Sequence, residues 1–115
     1  MKPKPNSLLR RARAVVKRWS CYANLYSTED GRLFATIKSE EGWPAQELSD
    51  ARKVKYLRDL EILEEALRSL SYVKRVDWTL LGLRVELNSS QLGSALEAAD
   101  KLERDLFGMH GVRLL

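Results

Sequence analysis

The spacing of apolar residues changes period several times along the chain, and the order of these periods restricts the fold more than any other feature. Apolar and polar residues alternate over 21–26 and 33–38, and again over 76–80 and 83–87. Before, between and after these runs, apolar residues recur at helical spacing. A period of two is typical of half-buried strands, and a period near 3.6 is typical of amphipathic helices. The sequence therefore predicts an α+β domain built on two β-hairpins.

Three segments have helical spacing, and each has its own cap and apolar stripe. The first follows a cap at Asn6 or Ser7, the main helix runs from a cap at Ser49 or Asp50 to about residue 70, and the last follows Ser89 or Ser90. The predicted stripes are Leu8, Ala12, Val15, Val16 and Trp19; Val54, Leu57, Leu60, Leu63, Leu67 and Leu70; and Leu92, Ala95, Leu96, Ala99, Leu102 and Leu106.

The two hairpins and the chain end complete the predicted elements. Asp30-Gly31 supplies the left-handed position of the first hairpin loop. Gly108 is suited to end the last helix with Met109 packing back on it, and residues 112–115 form a short final strand. We expect an antiparallel sheet with two helices on one face. Residues 20–115 would form a single domain preceded by a basic amphipathic helix in residues 1–19.

From residue 33 onward the order strand, helix, strand, strand, helix, strand resembles the ferredoxin-like plait. Residues 63–107 in particular resemble the second half of a heavy-metal-associated domain. That family carries its metal-binding cysteine pair between the first strand and the first helix, and residues 39–50 contain no cysteine. The resemblance therefore implies the fold or a variant of it, and does not imply metal handling.

The same order resembles the RNA-recognition motif, which shares the plait. The resemblance implies a base-stacking role for Phe34 on the first strand of the plait. The third strand of that family carries two further aromatic residues, whereas this chain has Arg84 and Glu86 there. A carboxylate on the platform repels phosphate, so the resemblance gives weak support for RNA binding.

Charge is divided unevenly along the chain. The whole sequence has a formal net charge of +4, yet residues 1–19 contain seven cations and no acidic residue, and the rest of the chain is net negative. The seven cations are Lys2, Lys4, Arg10, Arg11, Arg13, Lys17 and Arg18. A single-sign basic segment is typical of phosphate binding. The leading hypothesis is a small regulatory or accessory protein that contacts DNA or RNA through this segment.

Two other partners fit the basic segment, an acidic protein and anionic lipid. An acidic protein would pair with the same cations. The apolar stripe is short and rich in Ala and Val, so no stable membrane association is expected. The segment could also have no partner and simply be a solvated helix face. Arg52, Lys53 and Lys55 at the start of the main helix would extend the basic surface if they lie near it.

Tyr22, Tyr26 and Phe34 are predicted to share one face of the first hairpin, opposite Cys21. An open face would offer an aromatic partner surface, and the alternative function is a protein-interaction module or homodimer that uses it. Otherwise the N-terminal helix covers this face with its apolar stripe, which the sequence slightly favours. Trp78 is expected in the core. For Trp43 the sequence leaves open whether the side chain is buried or is an exposed contact residue.

Enzyme signatures are missing from the sequence, so no catalytic residue, cofactor or metal is predicted. There is no Gly-rich phosphate loop, nucleophile elbow or HExxH pair. Cys21 and His110 are the only residues of their types, which is too few for a structural zinc site. We interpret Cys21 as a small core residue and His110 as an exposed loop residue. The single cysteine favours a cytoplasmic location.

Overall fold

Five strands form one mixed sheet, and three helices pack on one of its faces, so the fold is α+β. The computed structural model describes residues 5–40, 49–79 and 82–115. The elements are α1 (Pro5–Trp19), β1 (Cys21–Ser27), β2 (Leu33–Ser39), α2 (Asp50–Ser69), β3 (Val73–Thr79), β4 (Gly82–Leu87), α3 (Ala95–Leu102), a π-helical segment (Glu103–Phe107) that continues α3, and β5 (Val112–Leu114).

The strand order across the sheet is β3-β4-β2-β1-β5. The three inner pairings are antiparallel, and Gly31 adopts φ 84° in the β1–β2 loop, as expected for that position. The outer pairing of β1 with β5 is parallel. The prediction of a wholly antiparallel sheet is therefore wrong at this edge. Because β1 lies between β2 and β5, the last strand pairs with β1 and runs in the same direction as β1.

One face of the sheet supplies the core, and no helix of the described residues packs on the other face. The inward side chains of β1, β2, β4 and β5 are buried in one cluster with residues of all three helices. They are Cys21, Ala23, Leu25, Leu33, Ala35, Ile37, Leu83, Val85, Leu87 and Val112. The opposite side chains of β1 and β2, which include the two tyrosines and Phe34, point away from this cluster. The predicted alternation of the first hairpin is thus present in the structure.

Helix α1 is the central helix of the helix layer. It contacts α2 on one side, the π-helical segment on the other, and β1 below. Its stripe lies in the common core, where Trp19 is 1% exposed. The expectation that this helix covers the tyrosine face is wrong. Ser20, at φ 50°, is the only residue between α1 and β1, so the chain folds back at once onto the face that carries Cys21.

Helix α2 begins as predicted, but its apolar stripe is shorter than predicted. The Ser49 side chain caps it by accepting from the Arg52 amide. Val54 and Leu57 are 53% and 42% exposed, so they do not belong to the core. Tyr56 and Leu60 are buried instead, because the first half of α2 faces α1 rather than the sheet.

The last helix departs from prediction at both ends. It starts at Ala95 with Ser94 as its cap, several residues after the predicted Ser89 or Ser90. Leu96 is 65% exposed and Met109 is 84% exposed, so neither packs as expected. Gly108 ends the π-helical segment as predicted and has a positive φ of 70°, but its ψ of 178° differs from the left-handed α conformation that the sequence predicts.

The remaining predictions concern tryptophans and the chain start. Trp78 is 43% exposed, and its indole donates to Glu64 at 2.9 Å, so the expectation that it lies in the core is wrong. It shares the inward face of β3 but lies at the sheet edge, where α2 only partly covers it. Lys2, Lys4 and Trp43 lie outside the described residues.

Candidate polyanion-binding surface

The cations of α1 form one exposed strip on the helix layer. Since α1 buries its apolar stripe, its polar residues point outward, and all five of its cations are exposed. We call these residues the basic ridge: Arg10, Arg11, Arg13, Lys17 and Arg18. No acidic residue occurs in α1. At 1.5 Å per residue the basic ridge is about 12 Å long.

A buried carboxylate fixes one end of the basic ridge. Asp59 of α2 is 7% exposed, and its Oδ2 accepts from the Trp19 indole at 2.8 Å and from the Arg18 guanidinium at 2.7 Å. The Trp19 ring also meets Tyr56 edge to face, with centroids 4.9 Å apart. Both hydrogen bonds involve a charged partner, which makes them stronger than neutral ones. The end of α1 is therefore held in place by α2.

The rest of the basic ridge lacks such neutralisation. Within the described residues, no ion pair is formed by Arg10, Arg11 or Lys17. Arg13 donates from Nε to the backbone carbonyl of Asp105 at 2.9 Å, a bond that orients the guanidinium without cancelling its charge. Among the ridge cations, Arg18 alone is paired with a carboxylate of the described part of the chain.

Two cations from other elements lie beside the basic ridge. The Arg52 guanidinium at the start of α2 lies 5.2 Å from the centre of the Trp19 ring. Arg104 of the π-helical segment lines a pocket together with Arg13 and Lys17. Sequence reasoning named Arg52 without locating it and missed Arg104. No sequence pattern indicates that Arg104 belongs to this surface. It lies 87 or more positions along the chain from Lys17 and Arg13, and only the docking of α1 brings them together.

The π-helical segment is tied to its surroundings at several points. Gly108 donates to the Glu103 carbonyl at 2.7 Å, the spacing of a π-turn. The Tyr72 hydroxyl donates to Asp105 Oδ2 at 2.6 Å, and the Gly111 carbonyl accepts from the Ala23 amide of β1 at 2.9 Å. Burial and the bond to Asp105 raise the pKa of Tyr72 well above its ordinary value. Tyr72 therefore stays a hydrogen-bond donor at neutral pH.

The predicted aromatic surface is present on the open sheet face, but arginines cover its centre. Tyr26 and Phe34 stack with centroids 5.6 Å apart. Phe34 is only 2% exposed, because the guanidiniums of Arg84 and Arg32 lie 4.4 and 4.9 Å from its ring centre. The Arg113 guanidinium lies 4.2 Å from the ring centre of Tyr22. The tyrosines are half-buried and Phe34 is closed to a base or a partner ring.

Most cations on the open sheet face are paired with carboxylates of the same molecule, whereas Lys38 and Arg84 form no ion pair within the described residues. Glu86 binds Arg32 at 2.9 Å and lies 3.7 Å from Lys74. Its hydrogen bond from Arg32 holds the pKa of the Glu86 carboxyl below its ordinary value. The same face holds two further pairs, Arg75 with Asp77 and Arg113 with Glu40.

The remaining titratable candidates show no reactive arrangement. Burial and the Asp59 charge raise the pKa of the Cys21 thiol to about 12, which makes it a poor nucleophile. His110 is exposed at φ 66°. In the described part of the chain, no group of three His, Cys, Asp or Glu residues is placed to hold a metal ion, and no helix is long and apolar enough to cross a bilayer.

Comparison with protein-family models, with curated proteins and with solved structures gives no match.

Proposed function

We propose that this chain is a small non-enzymatic regulatory or accessory protein that binds nucleic acid through the basic ridge. The observation that carries the proposal is that Arg10, Arg11 and Lys17 project from a docked helix and form no ion pair within the described residues. Cations held in place and left without counter-charges attract phosphates and release their condensed counterions.

The dimensions of the basic ridge suit a phosphate backbone. Along the axis of a duplex each strand carries one charge about every 3.4 Å, so a ridge of about 12 Å that lies parallel to the axis spans roughly three or four phosphates. Because α1 is anchored by Asp59 and Trp19, little conformational entropy is lost when the strand binds. Contacts of this kind give affinity with little sequence selectivity.

Burial of the apolar stripe of α1 favours nucleic acid over lipid. A membrane-surface helix inserts its apolar side chains below the headgroups. In this chain Leu8, Val15 and Trp19 are 6%, 2% and 1% exposed and pack in the core. Only the cationic side of α1 is available to a partner.

The proposal is tested by titrating labelled 12-base-pair DNA and RNA duplexes and matched single strands with purified protein at 20 to 200 mM salt. We expect binding at low salt that weakens steeply as salt rises. Changing Arg10, Arg11 and Lys17 together to Glu should reduce affinity by at least about 100-fold, since each lost phosphate contact is replaced by repulsion.

Lys38→Glu is the matched control for charge reversal. Lys38 lies on the open sheet face and forms no ion pair within the described residues, so its change leaves no carboxylate unpaired. We expect it to lower affinity by less than about threefold, through net charge alone. The proposal fails if the wild type binds no nucleic acid at 20 mM salt. Binding to an acidic protein alone would identify the rival partner.

The alternative function is a homodimer or adaptor surface formed by Tyr22, Tyr26 and Phe34. It has less support, because Arg32 and Arg84 cover Phe34. Light scattering of the wild type and a Tyr22→Ser, Tyr26→Ser variant separates the two proposals. A stable wild-type dimer that the variant loses, without any nucleic-acid binding, would favour the alternative. A cytoplasmic location suits either proposal.

We also propose that the chain from residue 33 onward is a variant of the ferredoxin-like plait. In this part of the chain β4 lies between β2 and β3, and α2 connects β2 to β3. Insertion of β1 between β2 and β5 is the departure from the plait. The variant carries no function of its own, since one fold serves many functions.

A further inference from the structure

A pocket of about 360 Å³ opens beside the basic ridge, between α1 and the π-helical segment. Ligand pockets in proteins begin at roughly this size. Residues of both elements line it, and π-turns in helices often occur at functional sites. Its position places it within reach of any strand that lies along α1.

The rim of the pocket is cationic. Arg13 and Lys17 extend from α1 and Arg104 extends from the π-helical segment, with Glu103 as the single acidic residue among those that line it. Arg104 lies 3.9 Å from Asp105, a long contact that leaves its charge largely uncancelled. All three cations are exposed. An anionic group is therefore stabilised between the two elements.

The floor of the pocket is apolar and held in place. It is made by Val16, Leu106 and Phe107, all of which belong to or border the core. Gly111 packs so closely on Phe107 that a Cβ there would come within 2.2 Å of the Phe107 carbonyl oxygen. The hydrogen bond from Arg13 to Asp105 fixes the two walls relative to each other.

We propose that this pocket holds one unpaired nucleotide of the strand bound on the basic ridge, an inference that rests on the proposed function. The phosphate lies among Arg13, Lys17 and Arg104. The base lies against the apolar floor. A duplex offers phosphates but keeps its bases stacked, so only a single strand or a frayed end uses both parts of the pocket.

The test has two arms, a free nucleotide and a strand. Adenosine 5′-monophosphate and inorganic phosphate are titrated into ¹⁵N-labelled protein, and amide shifts are followed in two-dimensional spectra. We expect saturable shifts at Val16, Phe107 and Gly108 with the nucleotide, and weaker binding of phosphate alone. A nucleotide that produces no shift at these amides would overturn the proposal.

In the second arm a 12-nucleotide single strand and a 12-base-pair duplex are compared for wild type, Arg104→Ala and Arg10→Ala. Arg104→Ala should weaken single-strand binding about fivefold to tenfold and duplex binding by less than about twofold. Arg10→Ala, on the basic ridge but outside the pocket, should weaken both to a similar extent. Equal losses for Arg104→Ala on both substrates contradict the proposal.

The two arms distinguish failure of this inference from failure of the proposed function. Duplex binding that depends on salt, with no nucleotide shift, overturns the pocket and keeps the basic ridge as a nucleic-acid surface. Absence of binding to either strand form overturns both, whatever the free nucleotide does.

Discussion

The basic ridge and the open sheet face both carry several cations, but most of those on the sheet face are paired with carboxylates and most of those on the ridge are not. On the sheet face Arg32, Arg75 and Arg113 each bind a carboxylate of the same molecule. On α1, Arg10, Arg11 and Lys17 form no such pair within the described residues. The proposed function therefore depends on cations that lack internal counter-charges on a fixed element, and not on the number of cations alone.

The largest expected effect comes from removing the buried Trp19 ring, which holds the end of α1 against α2. Trp19→Ala deletes a fully buried ring together with its hydrogen bond to Asp59. We expect the free energy of unfolding to fall by about 3–5 kcal/mol. Trp78→Ala is the control, and at 43% exposure it should cost clearly less, about 1–2 kcal/mol. Urea unfolding of both variants measures the difference. Similar costs for the two would mean that α1 is not anchored as described.

A second prediction compares the carboxylate under the basic ridge with one on the sheet face. Asp59→Asn removes the negative charge that accepts hydrogen bonds from Trp19 and Arg18. We expect the free energy of unfolding to fall by about 1.5–3 kcal/mol. Asp77→Asn breaks the exposed pair with Arg75 and should cost less than about 0.5 kcal/mol. The urea midpoints of the two variants, each compared with wild type, measure these two costs. Equal costs would contradict the distinction between an anchored and a solvated pair.

A third prediction creates unpaired cations on the sheet face. Glu86→Gln releases Arg32 and Lys74 from their shared carboxylate. If unpaired cations make a polyanion surface, the variant should bind a duplex about twofold to threefold more tightly at low salt, with a steeper salt dependence. Glu65→Gln on α2 changes net charge equally without releasing a described partner. Identical gains in both variants would show that net charge alone is responsible.

The smallest predicted effect concerns pH. The hydrogen bond from Arg32 lowers the pKa of Glu86 in the folded state, so this pair stabilises the protein above about pH 4.5. The contribution is lost as pH falls through the lowered pKa, because the unfolded state takes up the proton first. Wild type should therefore lose more stability than Glu86→Gln between about pH 5 and pH 3, measured by thermal unfolding. Parallel pH curves would contradict the pairing.

Local pattern predicted the elements of this fold better than their assembly. The strands of the first hairpin, the α2 cap at Ser49 and the position of Gly31 follow from alternation, capping and turn chemistry in neighbouring residues. The parallel β5 and the docking of α1 between α2 and the π-helical segment depend on which apolar faces meet. Which faces pack together depends on the whole core, so it cannot be predicted from the pattern of any one segment.

The candidate site was predictable to the same extent. Single-sign charge identified the ridge cations from Arg10 to Arg18, because only α1 is needed to place them side by side. Asp59 and Arg104 were missed, since each is brought to α1 by tertiary packing. Phe34 was placed on the correct face, but its cover of arginines comes from β4 and the β1–β2 loop.

The most direct test of the central claim is the salt dependence of duplex binding for wild type and for an Arg10→Ala, Arg11→Ala, Lys17→Ala variant. Facing three or four phosphates, wild type should give a slope of log K against log salt of about −3, and the variant a slope near −1 or flatter. Matching slopes for the two proteins would show that the cations of α1 do not contact the phosphates.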